Sequence, residues 1–166
     1  MAEGTPSAAA LAVLLEEIRA DRVAIRQHYE TIRGALAATP WPEQSATLSV
    51  VAVSIHHFYG ASEGIFERIA RAFEGLPERY DRWHQELLER MSLGIDGIRP
   101  AVLRRHTAHA LAPVLSFRHF FRHAYAVAFD ARRLQLVAED AERAEKLLRE
   151  DLDAFEGVLV AGRTRA

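Results

Sequence analysis

Apolar residues recur along this chain in alternating steps of three and four, the spacing that marks one face of an α-helix. Leu11, Leu15, Ile18, Arg22, Ile25, Tyr29, Ile32 and Leu36 form one unbroken stripe, with Arg22 its sole charged member. Thr5-Pro6-Ser7 offers this helix a start, and Thr39-Pro40-Trp41-Pro42 a stop, because proline cannot continue the hydrogen-bond ladder. A second stripe runs Leu48, Val51, Ile55, Phe58, Ser62, Ile65, Ile69. Its helix is expected from about Pro42-Glu43 to Phe73, ahead of Gly75-Leu76-Pro77. Two long helices joined by a short proline-containing turn make an antiparallel hairpin.

A shorter helix over 82–91 carries Trp83, Leu87, Leu88 and Met91, and a loop with two glycines follows over 92–99. Pro100 suits the opening position of a helix over 101–111. Pro113 is expected to break or kink the path before a further helix over 113–128. A last amphipathic helix, from 131 to about 159, presents Leu134, Val137, Ala141, Leu148, Phe155 and Leu159. No strand signal, internal repeat or linker interrupts this pattern. The expected fold is therefore all-α, an antiparallel bundle of five to six helices in a single domain over 1–166.

Composition narrows the chemistry. With 166 residues, 49% of them apolar, the chain can bury a core without staples. It has no cysteine, which excludes disulfides, thiolate catalysis and Cys-type zinc sites. The first residues carry an acid and a proline where a signal peptide needs basic residues, and the apolar run 8–15 is too short to span a bilayer. The expectation is a soluble, cytoplasmic protein with no membrane contact.

Charge changes the picture more. Between Arg99 and Phe129 stand five arginines and four histidines, and not one Asp or Glu. The remainder thus carries a net −7, where the whole chain carries −2. Such a basic island either attracts a polyanion or acidic partner, or pairs with acidic neighbours inside the fold.

Within the island lies Arg118-His119-Phe120-Phe121-Arg122-His123-Ala124-Tyr125. On a helix, Arg118, Arg122 and Tyr125 make one stripe and His119 and His123 the next, while Phe117, Phe120, Phe121 and Ala124 can pack inward. RNA carries its own nucleophile, the 2′-hydroxyl, beside every phosphodiester. Cleaving it takes a base for that proton, an acid for the 5′-oxygen, and a cation for the phosphorane. Histidine serves as base or acid near neutral pH, and arginine grips phosphate oxygens with a planar fork. No metal or cofactor is needed for this route.

The segment resembles the RX4–6HXY motif of the HepT ribonuclease toxins, within the HEPN superfamily of helical ribonucleases. Arg118, four residues, then His123-Ala124-Tyr125 satisfies the pattern, and His119 matches the polar residue that HEPN proteins place after the arginine. Phe58-Tyr59-Gly60-Ala61-Ser62-Glu63-Gly64-Ile65 and Trp83-His84-Gln85-Glu86-Leu87-Leu88 resemble helix 2 and helix 3 segments of a HepT-like branch, so the likeness covers roughly 45–160. It implies Arg118 and His123 as the catalytic pair, with His119 in support; Arg122 is either a supporting phosphate contact or a solvated surface arginine. It also implies a homodimer cutting RNA to a 2′,3′-cyclic phosphate, and an MntA-type nucleotidyltransferase antitoxin that attaches AMP to Tyr125. Geometry independently favours a shared site: residues five apart sit about 140° apart around a helix, so one straight helix does not aim Arg118 and His123 at one atom.

Other readings stay open. A catalytically silent HEPN-type module binding RNA or a nucleotide, or a helical subunit whose arginines hold an acidic partner, would use the same face. Glu63 borders the second stripe, either as a rim carboxylate or as an ion-pair partner that orients Arg118. The pairs His119/His123 and His106/His109 have ligand spacing but lack a third ligand nearby, so no metal site is expected. His56-His57 are expected to pack or be solvated, Trp41 and Trp83 to fill core or hinge positions, and the first stripe to form bundle core or a dimer seam.

Overall fold

A computed structural model of the chain describes residues 6–75, 82–123 and 128–165. Among them five helices form and no strand does; α1 is Ala8–Ala37, α2 Ser45–Phe73, α3 Trp83–Met91, α4 Arg105–His123 and α5 Ala131–Arg165. The chain folds as the expected helical bundle, around one apolar cluster to which every helix contributes.

The Ser7 hydroxyl caps α1 by accepting the Ala10 N–H at 3.2 Å. Of the α1 stripe, Leu11, Leu15, Ile18, Ile25 and Ile32 are buried, and α1 packs along α2 and α5. Arg22, the stripe's one charge, reaches across to Asp153 (2.5 Å) and Glu156 on α5. This stripe is therefore bundle core within one chain, which leaves any seam between copies to other faces.

Two expectations around α4 need correction. Pro100 opens no helix. The N–H groups of Val102 and Leu103 instead donate to the Met91 carbonyl at 2.9 and 3.0 Å, which satisfies the end of α3 and buries both side chains. The helix begins at Arg105, where the Asp151 carboxylate of α5 accepts the Arg104 N–H at 2.9 Å and caps the turn from outside. Nor does Pro113 divide the path, since α4 runs through it to His123. Ala108 and Leu111 before the proline, and Val114, Leu115 and Phe117 after it, keep one buried face, while Pro113 itself is exposed. Burial on both sides offsets the lost bond to the His109 carbonyl.

Much of the basic island is neutralised internally. Arg99 is fully buried on Glu74, and Arg104 meets Glu150 (2.7 Å) and Asp151 (2.5 Å). Arg118 meets Glu63 at 2.9 Å. Among the described residues, Arg105 and Arg122 form no ion pair. Here the acidic-neighbour reading holds for three arginines of the five.

Candidate active site

Arg118 and His123 leave α4 in different directions. The Arg118 side chain is only 14% exposed and lies inward against α2, whereas His123 is exposed near the helix end. Glu63, itself 4% exposed, fixes the arginine through Oε2, and its Oε1 receives the His84 Nδ1–H at 2.5 Å. A buried carboxylate is tolerable only when so engaged, and here α2, α3 and α4 each supply one member. Glu63 is thus a buried ion-pair partner of Arg118, not a rim residue. The Arg118 guanidinium carbon also stands 5.9 Å from the ring centre of Tyr59, a cation–π distance.

Among the described residues, the Arg118 Nε and the Tyr59 hydroxyl beneath the motif have no protein partner. Burial, and then the Glu63 carboxylate, push the tyrosine's pKa upward. That hydroxyl stays protonated and available as a donor.

The histidines stand outside. His119 and His123 rings are 4.8 Å apart, and His123 Nδ1 lies 2.8 Å from the His119 carbonyl oxygen. A carbonyl only accepts, so Nδ1 carries the proton in that bond. The neutral ring then presents its Nε2 lone pair, the arrangement a general base needs. A cavity of about 310 Å³ between α3 and α4 is lined by His84, Arg118 and His119. Arg122 is exposed, Phe117 buried and Phe121 half-buried, but Phe120 is 50% exposed rather than packed inward. Ala124 and Tyr125 lie outside the described residues.

A model of the HepT-like protein family matches residues 50–159, two thirds of the chain. The chain belongs to the HepT-like family. No curated protein and no solved structure matches it significantly. The HepT-like match takes in α3, α4 and most of α2 and α5, so every residue of the Glu63–His84–Arg118 set falls inside it. Among the described residues, no helix is long and apolar enough to cross a membrane.

Neither His84 nor Tyr59 carries a local sequence signal of a role at the site. His84 is 21 residues from Glu63 and meets it only because α3 packs on α2. His56 was expected merely to pack or be solvated; its ring lies 4.8 Å from that of Phe121, with Nδ1 buried and without a partner among the described residues. Burial first, then the charges of Arg118, His57 and Arg122, lower its pKa from 6.5 to about 4. The unfolded chain therefore binds a proton that the native state refuses between those values, and stability must fall as pH drops through that window. Thermal unfolding followed by circular dichroism at pH 7 and 4.5 should show a smaller acid-induced drop in Tm for His56→Phe than for the wild type. Equal drops would contradict this role.

Proposed function

We propose that this HepT-like chain is a metal-independent ribonuclease of the HEPN type, the toxin of a toxin–antitoxin pair, acting as a homodimer. The observation that carries this reading is the division of labour on α4. A cation is held rigidly by Glu63 on the inner side, and a histidine on the outer side has an Nε2 with no partner among the described residues. Arg118 then offers preorganised positive charge, and His123 a base in the correct tautomer.

In the reaction, His123 Nε2 takes the proton of the 2′-hydroxyl while that oxygen attacks the adjacent phosphorus. Arg118 neutralises the charge gathering on the non-bridging oxygens. A water molecule gives a proton to the departing 5′-oxygen, and the hydroxide left behind takes the proton held by His123. One P–O bond forms and one breaks, leaving a 2′,3′-cyclic phosphate and a 5′-hydroxyl. His119 and Arg122 support by holding flanking phosphate oxygens. A nucleotidyltransferase antitoxin silences the site by attaching AMP to Tyr125, which brings phosphate charge and bulk two residues from His123.

Purified protein should cleave single-stranded RNA in excess EDTA, and His123→Ala should abolish the products while leaving the circular dichroism spectrum unchanged. Cleavage that persists in the variant, or requires added metal, would sink the reading. Binding of RNA without any cleavage would point to a silent module.

A further inference from the structure

A second stripe on α4 is not explained by the motif. Arg105, His109, Ala112, Ser116, His119 and His123 follow steps of four and three, and all six are exposed. At ~1.5 Å per residue, the stripe starts about 27 Å from His123, room for at most about eight stacked nucleotides at ~3.4 Å each. From Arg105 to His119 it forms one wall of a groove whose opposite wall is α3. Two cavities of about 530 and 310 Å³ lie along this groove, sharing Gln85, Leu115 and Ser116. The larger reaches Arg105 and His109, and the smaller reaches Arg118 and His119.

The charge along the groove selects its occupant. Arg82 and Arg105 line the larger cavity, against a single carboxylate, Glu89. Arg104 is engaged by Glu150 and Asp151, while its neighbour Arg105 forms no ion pair among the described residues. Its guanidinium is free to hold a phosphate.

We propose that the α3–α4 groove is the track for single-stranded RNA, with Arg105 gripping a phosphate several nucleotides from the bond that is cut. The inference rests on the ribonuclease reading and extends it from a cleavage point to a substrate of defined length. Attack by the 2′-oxygen needs that oxygen, the phosphorus and the 5′-oxygen in line, which an A-form duplex prevents and a single strand permits. The His109 and His119 rings offer stacking surfaces for unpaired bases, and the Gln85 amide a donor and acceptor for a base edge. An acidic protein helix would find no comparable use for a row of histidine rings.

The test uses full-length protein and fluorescent RNA strands of three and ten nucleotides, 2′-O-methylated throughout so that the nucleophile is blocked. The ten-nucleotide strand should bind more tightly than the three-nucleotide strand. Arg105→Gln should weaken its binding roughly ten-fold, the loss expected for one charged hydrogen bond. It should also lower the slope of log affinity against log salt by about one. Arg33→Gln, on α1, which does not touch α4, should change neither. Equal binding of both lengths, or an Arg105→Gln protein with wild-type affinity and slope, overturns the groove. Cleavage of an unmodified three-nucleotide strand in that case leaves the ribonuclease standing without its track. Tight, Arg105-dependent binding with no cleavage of unmodified RNA supports the track and removes the ribonuclease.

Discussion

Unfolded and refolded together in equal amounts, Arg118→Gln and His123→Ala proteins should recover RNA cleavage that neither shows alone. Each substitution by itself should cost about 10²- to 10⁴-fold, the range for losing a general base or a preorganised charge. Arg118 points inward and His123 outward on one helix, so in the proposed homodimer a productive pair would combine the arginine of one copy with the histidine of another. Random pairing makes half the dimers mixed, each with one intact site of two, so about a quarter of wild-type activity should return. If both groups act from the same chain, every site in the mixed dimer is dead and nothing returns. Glutamine is the better replacement at Arg118, because its amide still donates to Glu63. Alanine would leave that buried carboxylate held by His84 alone. Initial rates on a labelled RNA in EDTA decide between the two outcomes.

The largest effect on stability is expected at Arg99. Its side chain is fully buried, and it joins Glu74 while donating to the carbonyls of Leu93 (2.9 Å), Pro100 (3.1 Å) and Arg90 (3.1 Å). One guanidinium thereby ties the end of α2 to the loop after α3. Arg99→Ala leaves the buried Glu74 carboxylate held by Arg90 alone and takes a donor from three carbonyls, of which Arg90's still accepts the Leu93 N–H, a loss of about 3–5 kcal/mol. Against a typical total of about 5–15 kcal/mol, that brings the protein close to unfolding at ordinary temperature. Arg99→Lys should recover little, since a single ammonium cannot match a planar fork that serves four groups. Urea midpoints followed by circular dichroism check both, and an Arg99→Ala midpoint near the wild-type value would contradict the assignment.

The helices that were legible in the sequence are those whose apolar stripe alone decides them. Leu11 to Leu36 and Leu48 to Ile69 keep their steps without interruption, and α1 and α2 follow. The region from Pro100 to Pro113 was misread because local proline rules met tertiary facts that outweigh them. Met91 claims the Val102 and Leu103 amides, Asp151 caps the chain from α5, and apolar burial on both sides carries α4 through Pro113. At the candidate site, Arg118, His119, Arg122 and His123 were legible because they share one segment. Glu63 was visible only as a residue at the edge of a stripe. His84 and Tyr59 were invisible as partners, since what joins them to Arg118 is the packing of α2, α3 and α4. The basic island was half legible: its composition was plain, but which arginines are neutralised depends on carboxylates far away in sequence.

The family match begins at residue 50, inside α2, yet α1 lies wholly before it. That helix buries Leu11, Leu15 and Ile18 in the common core, and Arg22 clasps Asp153 and Glu156 near the far end of α5. A piece cut to the matched residues would keep Glu63, His84, Arg118 and His123 but bare the long apolar flank that α1 covers. The residues that the family model matches and the residues that close the core therefore differ, and α1 is part of that difference.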